Sequence, residues 1–263
     1  MQSIPRVNVL GCGISAINLQ TAESAVLEAL REKRKGYVTV TGVHGVSEAQ
    51  QDAEFKRILN ESFLTTPDGM PMVWCGWKAG HKSMDRVYGP DLMLKIFERS
   101  VEHGIRHFFY GGKEGVADTL KSKLEERFLG VQIVGAYCPP FRELNDGERA
   151  DLQQRVAKLK PDIIWVGLST PKQERFMVKY LPILDTTLMF GVGAAFDFHA
   201  GLVPQAPRWM QRAGIEWFYR LTKEPKRLWK RYMVNNPLFV MRILGQWTGL
   251  KRYPEPATLG AGE

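Results

Sequence analysis

The 263-residue sequence has few cysteines: Cys12, Cys75 and Cys138 are its only three, and they lie far apart. Three scattered cysteines form neither a disulfide framework nor a zinc site with the usual ligand spacing. The sequence also lacks an uninterrupted apolar run of the roughly 20 residues that a membrane-spanning helix needs. Its N-terminus has no basic region followed by an apolar region, as a signal peptide would. We therefore expect a protein that is made and kept in the cytoplasm.

Acidic residues are scarce in one part of the chain only. Residues 205–253 carry 11 Lys and Arg against two Glu, so nearly all of the net charge of +8 lies there. Trp and Tyr alternate with these cations in a helical pattern, which is typical of an element at a membrane surface, where anionic lipids attract the cations. Nucleic-acid binding is the alternative. A charged cover packed through its tryptophans would explain the aromatic residues but not the charge.

The first 204 residues alternate short β-branched runs with longer helical patterns. The predicted strands are residues 6–10, 37–41, 106–110, 131–136, 162–166 and 187–192, and the predicted helices are residues 21–33, 47–60, 91–103, 115–128, 146–158 and 172–180. This alternation predicts βαβ units and the α/β class, with a largely parallel sheet covered by helices on both faces. We expect a core domain over residues 1–204, a basic helical appendage over residues 205–253 and a disordered tail over residues 254–263.

A glycine motif follows the first predicted strand. Residues 11–16 (GCGISA) match the G-x-G-x-x-A form of the dinucleotide fingerprint. That fingerprint also requires an acidic residue at the end of the next strand, to bind the ribose hydroxyls. Here the next strand continues into Gly42-Val43-His44 without a carboxylate, which favours a tight strand-to-helix turn instead.

Asp68 is the first candidate for acid–base chemistry. It lies in residues 65–71 (TTPDGMP), a polar stretch with proline and glycine that predicts a loop. An Asp in such a turn commonly caps the segment that follows it. The alternative is a carboxylate at the edge of the sheet that acts as a general base, provided that the attacking hydroxyl lies within hydrogen-bonding reach.

Two strand-to-helix junctions are candidate phosphate sites. In residues 110–115 (YGGKEG), Gly111 and Gly112 allow a ligand to approach the backbone at a helix N-terminus, although a plain turn explains them equally well. In residues 167–174 (GLSTPKQE), a Ser or Thr N-cap and Pro171 in the first turn explain the helix start. Lys172, Gln173 and Glu174 nevertheless follow the carboxyl end of a strand, where ligands bind in this architecture.

The sequence contains no recognisable metal-binding motif. The five histidines show no ligand spacing, and there is no Asp-x-Asp pair of the kind that holds Mg²⁺ in many sugar-nucleotide enzymes. If a pyrophosphate binds, helix N-termini and the cations Arg86 and Lys172 are the candidates to meet its charge. We therefore expect metal-independent chemistry without a cofactor.

Four collinear motifs carry a resemblance to a known family. They are residues 67–74 (PDGMPMVW), 110–112 (YGG), 161–174 (PDIIWVGLSTPKQE) and 191–197 (GVGAAFD), the last followed by residues 208–217 (RWMQRAGIEW). Together they resemble the WecG/TagA/CpsF glycosyltransferases, which are glycosyltransferase family 26. The similarity extends in order from about Arg6 to Tyr232.

The resemblance implies a bacterial inverting enzyme with a Rossmann-like core, no metal, and a C-terminal appendage on the cytoplasmic face of the inner membrane. It implies a UDP-sugar donor and a polyprenyl-diphosphate-linked acceptor, and leaves a homo-oligomer open. The site residues that it implies are Asp68 as general base, Thr41 as its polar partner, Arg86 and Gln173 as ligand contacts, and Arg220, Arg227 and Lys230 as cations that meet the lipid diphosphate.

One departure from the family bears on the donor sugar. Many members carry Thr-x-Asn-x-Glu after the second strand, whereas this chain has Thr41-Gly42-Val43-His44-Gly45. The missing Asn weakens the case for N-acetylmannosamine, and the run resembles the exopolysaccharide branch, which includes GumM-type glucosyltransferases. The expected function is transfer of a hexose or N-acetylhexosamine. The alternative is a cytoplasmic nucleotide- or nucleic-acid-binding protein without transferase activity.

Overall fold

The computed structural model describes residues 4–256, which form alternating strands and helices followed by helices alone. The strands are β1 (Arg6–Val9), β2 (Cys12–Ser15), β3 (Gly36–Thr41), β4 (Leu64–Pro67), β5 (Arg106–Gly111), β6 (Gln132–Tyr137), β7 (Ile163–Gly167) and β8 (Leu188–Gly191). The helices are α1 (Leu19–Arg31), α2 (Val43–Glu48), α3 (Ala53–Asn60), α4 (Met70–Lys78), α5 (Gly89–His103), α6 (Val116–Arg127), α7 (Asp146–Leu159), α8 (Lys172–Tyr180), α9 (Ala195–His199), α10 (Arg208–Arg212), α11 (Glu216–Lys223) and α12 (Pro225–Trp247).

Six strands form one sheet in the order β4-β3-β8-β7-β5-β6, and β1 and β2 form a separate antiparallel hairpin. The β3–β8, β8–β7, β7–β5 and β5–β6 pairs are all parallel. Because helices cover the sheet, the strand residues are apolar on both faces. In β8, for example, all four residues are buried. The predicted α/β class with a largely parallel, Rossmann-like sheet is confirmed.

The chain divides into two compact units. The first contains the segments up to Gln20, from Val40 to Tyr88 and from Gln205 onward; the second contains Thr21–Thr39 and Gly89–Pro204. A segment boundary therefore falls at Gln205, where the composition changes. The division into a core domain and a separate appendage stays a prediction, and most of the predicted disordered tail lies outside the described residues.

The last helix shares a hydrophobic core with the N-terminal hairpin. Phe239 and Ile243 of α12 belong to the same buried cluster as Val9 and Ile14 of the hairpin and Phe55 of α3. Leu228 and Tyr232 extend the buried face of α12 toward its N-terminus. The tail is thus part of the first unit's core. Of its tryptophans, Trp217 is half-buried against Tyr232, with 5.9 Å between the ring centres, whereas Trp209, Trp229 and Trp247 are exposed.

Local predictions fail at three places in the first unit. Residues 11–16 are not a strand-to-helix turn: Leu10 and Gly11 have positive φ and turn the chain into β2. The helix predicted over residues 47–60 is two helices, because the Asp52 side chain accepts a hydrogen bond from the Phe55 N–H and starts α3 anew. The loop predicted over residues 65–71 contains the end of buried β4 and the start of α4.

Within the described residues, every helix is too short or too polar to cross a lipid bilayer.

Candidate functional site

Asp68 lies where β4 ends, directly beside the end of β3. Its backbone N–H donates a hydrogen bond of 3.0 Å to the carbonyl of Thr41, the last residue of β3. Gly42 follows, and a Cβ there would lie 2.5 Å from the Asp68 carbonyl and 3.7 Å from its carboxylate oxygen Oδ2. The close approach therefore requires glycine at position 42. The two residues that the family resemblance named as base and partner are neighbours, with Thr41 buried and Asp68 partly exposed.

Arg220 and Tyr232 of the tail, together with Tyr88, interact electrostatically with this carboxylate. Burial lowers the pKa of Arg220, but the anionic or ionisable neighbours Tyr232, Tyr88, Glu216 and Asp68 outweigh it and raise that pKa above its ordinary value. The Tyr88 phenol has a pKa well above 10 because it is buried and because Glu216 and Asp68 lie near it. Asp68 therefore belongs to a group of interacting ionisable side chains that includes Arg220 and Tyr88.

Arg86 is bound by residues of the tail. Its Nη1 donates to Oε1 of Gln211 over 2.6 Å, and its Nη2 forms an ion pair with Oε2 of Glu216. The Tyr88 phenol donates to the other Glu216 oxygen over 3.1 Å. Sequence reasoning selected Arg86 but missed Glu216, although Glu216 lies within the motif at residues 208–217.

The other tail cations occupy different positions. Arg227 pairs with Glu224 on the same helix and is exposed, as is Lys230. Arg231, which the sequence did not single out, is half-buried near His44: burial, Arg231 and Arg220 together lower the pKa of His44 to about 4. The His44 imidazole is therefore neutral at neutral pH, and its Nδ1 lies 3.3 Å from the side-chain nitrogen of Asn235.

Glycines shape the strand ends in the second unit. Gly111 of β5 pairs with Gly167 of β7, and a Cβ on Gly111 would lie 2.6 Å from the Gly167 carbonyl oxygen. The Gly112 N–H donates to the same carbonyl over 3.0 Å. Packing between strands thus explains Gly111, and α6 begins shortly afterwards without a side-chain cap at Gly115. The first N–H of α6, that of Val116, donates to the carbonyl of Lys113 over 3.1 Å.

Gln173 and Glu174 are buried at the start of α8, whereas Lys172 is exposed. Glu174 Oε1 accepts hydrogen bonds from Gln173 Nε2 over 3.0 Å and from Thr170 Oγ1 over 2.9 Å. Burial raises the Glu174 pKa, which these two hydrogen bonds only partly offset. The expected Ser or Thr N-cap is wrong, because Pro171 occupies that position and Thr170 binds Glu174 instead.

Two acceptor atoms at this junction are left unpaired. Gln173 Oε1 and Glu174 Oε2 are both buried without a hydrogen-bond partner. Ser169, at the same junction, has a φ of 71°, which is strained for a residue with a side chain. Unpaired polar atoms and backbone strain are typical of functional sites. Among residues 4–256, no group of three or more His, Cys, Asp and Glu side chains is placed to hold a metal ion.

A parallel, Rossmann-like sheet with glycines at the carboxyl ends of its strands is an architecture that many nucleotide-binding enzymes share. The comparisons with known proteins identify the family. A family profile described as "Glycosyl transferase WecG/TagA/CpsF family" matches residues 7–253. The chain belongs to this family, as its motifs predicted.

Two curated relatives are similar over most of their length. A protein of Bacillus subtilis (strain 168) is 30% identical over 209 residues, which cover 79% of each chain. A protein of Bacillus spizizenii is 30% identical over 218 residues, covering 81% of this chain and 80% of its own. Both are named N-acetylglucosaminyldiphosphoundecaprenol N-acetyl-beta-D-mannosaminyltransferase. The enzyme class predicted from the sequence is confirmed.

Proposed function

We propose that the protein is an inverting, metal-independent transferase that moves a hexose or N-acetylhexosamine from a UDP-sugar to a polyprenyl-diphosphate-linked saccharide. The product would enter bacterial exopolysaccharide or another cell-surface polysaccharide. The observation that carries the proposal is the Asp68 carboxylate, fixed by its backbone to Thr41 and surrounded by Arg220, Tyr88 and Tyr232. The names of the two Bacillus relatives support a lipid-diphosphate acceptor.

In the proposed reaction, Asp68 accepts the proton of an acceptor hydroxyl. The hydroxyl oxygen attacks the anomeric carbon of the donor, a new C–O bond forms, and the bond from that carbon to the diphosphate oxygen breaks, releasing UDP. A single displacement of this kind inverts the anomeric centre. Because Asp68 is partly exposed and the Thr41 carbonyl fixes its backbone, its carboxylate is accessible and positioned for this role.

The second unit supplies the proposed nucleotide site. The positive ends of the α6 and α8 helix dipoles favour a diphosphate, and Lys172 is an exposed cation at the start of α8. Gly111 and Gly112 leave the backbone open to a ligand at one junction, and at the other the buried, unpaired oxygens of Gln173 and Glu174 would accept hydrogen bonds from the base or the sugar hydroxyls of the nucleotide rather than from its diphosphate. Fixed donors and cations of this kind stabilise the leaving diphosphate without a metal ion.

The tail supplies the proposed membrane surface. Trp229, Met233, Val240 and Leu244 lie on an exposed apolar stripe of α12, and the whole helix lacks acidic residues. Arg227 and Lys230 are exposed near its N-terminal end, where they would meet the lipid diphosphate or anionic headgroups. We therefore propose a peripheral enzyme on the cytoplasmic face of the inner membrane.

The test is transfer by the purified protein in the presence of EDTA. A synthetic polyprenyl-diphosphate-linked N-acetylglucosamine is incubated with UDP-glucose, UDP-N-acetylmannosamine or a UDP-uronic acid, and the lipid product is identified by mass spectrometry. One donor is expected to give a product of inverted anomeric configuration. Transfer that stops when EDTA is added would contradict metal independence.

Absence of transfer with every donor, combined with a thermal shift produced by oligonucleotides but not by UDP, would favour the binding protein instead. The transferase proposal predicts the opposite shift, with UDP raising the Tm and NAD and oligonucleotides leaving it unchanged.

A further inference from the structure

Arg86 has little capacity left for a ligand. Its two terminal nitrogens are bound by Gln211 of α10 and Glu216 of α11, and its guanidinium carbon lies 4.0 Å from the centre of the Tyr88 ring. Only Nε is without a partner, and that atom is buried. A guanidinium binds through its N–H groups and its flat face. Two of its five N–H groups and one face of the guanidinium are thus occupied by residues of the same unit, and the side chain is largely buried.

The Arg86–Glu216 pair is also shielded from water. The two side chains are only 11% and 16% exposed, and the Tyr88 phenol donates a further hydrogen bond to Glu216. Ion pairs on the surface contribute little because water and salt screen them, whereas removing one partner of a buried pair leaves an uncompensated charge. This pair therefore fixes the position of α11 more firmly than the exposed ion pairs of the chain fix their own elements.

Each residue of the pair is connected through its own segment to the region of Asp68. On the Arg86 side, the next residue, Val87, donates its backbone N–H over 3.0 Å to the carbonyl of Pro67, the residue before Asp68. On the Glu216 side, Arg220 follows four residues later, which places it one turn further on the same face of α11. Arg220 carries the charge opposite to that of Asp68, and Asp68 is among the groups that raise the pKa of Arg220.

We propose that Arg86 is a positioning residue that acts through Glu216: the ion pair orients α11 so that Arg220 faces Asp68. This inference rests on the proposed transferase function. It gives Glu216 a role in the site, and it differs from a role of Arg86 as a direct substrate contact. If Arg86 instead binds substrate directly, Glu216 competes for the same guanidinium.

The two accounts predict opposite effects of Glu216→Gln, which removes the carboxylate and keeps the size of the side chain. If Arg86 acts through Glu216, transfer falls by about tenfold or more, because small displacements of a charged group are costly in catalysis. If Glu216 competes with substrate, transfer is unchanged or faster, which would overturn the proposal. Glu61→Gln is the matched control, since Glu61 forms an exposed ion pair with Arg57 in the same unit.

A second measurement separates positioning from a merely structural role. If Glu216 serves to place Arg220, Arg220→Ala lowers transfer strongly in the wild type but adds little in the Glu216→Gln background. Losses that multiply, in variants with a wild-type Tm, would contradict the proposal. If Glu216→Gln does not fold, Glu216→Asp, which keeps the charge but shortens its reach, takes its place with the same predicted direction.

A third measurement needs no activity. Hydrogen exchange of the α11 backbone amides is expected to accelerate in Glu216→Gln and to stay unchanged in Glu61→Gln. Unchanged exchange of α11 in Glu216→Gln would overturn the positioning role. Loss of transfer in the wild-type protein would instead overturn the proposed function, so the two failures are distinguishable.

Discussion

Gln246 holds the turn at Leu10 with its side-chain amide. Its Oε1 accepts a hydrogen bond of 2.8 Å from the Leu10 N–H, and its Nε2 donates one of 2.8 Å to the carbonyl of Asn8. The two residues are 236 positions apart in the sequence. The C-terminal end of α12 therefore satisfies the backbone of the N-terminal hairpin, and we expect the tail to contribute to the stability of the first unit.

Two substitutions on α12 test this role of the tail. Phe239 is buried in the core cluster, so Phe239→Ala is expected to lower the free energy of unfolding by about 3–5 kcal/mol. Met241, two residues further, is 66% exposed, and Met241→Ala is expected to change the free energy of unfolding by about 0.5 kcal/mol or less. Urea denaturation measures both. Equal effects of the two substitutions would contradict the placement of α12.

The raised pKa of Glu174 predicts a pH-dependent stability. Because burial raises that pKa above its ordinary 4.5, the native state holds a proton that the unfolded state releases. The contribution to stability is full below pH 4.5 and is lost as the pH rises through the raised value. Glu174→Gln mimics the protonated side chain. The Tm of this variant minus the Tm of the wild type is therefore expected to increase as the pH rises from 4 to 8. Thermal denaturation across this range measures the difference.

The control for that experiment is Glu148→Gln. Glu148 forms an exposed ion pair with Arg142, and the hydrogen bonds from Arg142 lower its pKa to about 2. The Tm difference between Glu148→Gln and the wild type should therefore change in the opposite direction, or not at all, as the pH rises. A Glu174→Gln difference that is constant from pH 4 to 8 would show that folding does not raise the pKa of Glu174 and would contradict the prediction.

The apolar stripe of α12 predicts membrane binding with a hydrophobic component. Val240 and Leu244 are both about half exposed, and replacing both with Ser removes apolar area that would enter the lipid. The double variant is expected to bind phosphatidylglycerol vesicles at least about tenfold more weakly in a sedimentation assay. Truncation at Gln205 is a poor test, because it would also remove Phe239 and Ile243 from the core.

Leu129→Ser is the matched control for the membrane experiment. Leu129 is 80% exposed and lies in the second unit, outside the tail. Its replacement is expected to leave vesicle binding unchanged. The same affinity for the double variant and for Leu129→Ser would contradict insertion of the stripe, and attraction by the basic residues alone would then account for any binding.

The regular part of the fold follows from local sequence patterns. The α8 helix begins and ends where the sequence predicts, and the β5, β7 and β8 strands lie within one residue or so of their predicted bounds. Each strand is a short apolar run between a helix and a glycine, which is a strong local signal in a parallel sheet. The junctions that carry Gly111 and Gln173 could therefore be located from the sequence.

The rest depends on contacts between distant residues. The buried strands β2 (CGIS) and β4 (LTTP) lack the apolar run that marks the other strands. The glycines of residues 11–13 also match a nucleotide-binding motif, which conceals the hairpin turn. The partners of Arg86 and Leu10 lie in the tail, more than 100 positions away. Arg231 is half-buried and lowers the pKa of His44, whereas its neighbour Lys230 is exposed. The sequence does not distinguish these two cations, because charge alone does not tell which way a side chain on a helix points.

The most direct test of the account is the rate of sugar transfer by Asp68→Asn. This substitution keeps the shape of the side chain and removes the carboxylate that is proposed to take the acceptor proton. We expect transfer to fall by about 10²–10⁴-fold, with the Tm and the affinity for UDP unchanged. Near wild-type transfer by the folded variant would show that Asp68 is not the base, and would contradict the central claim.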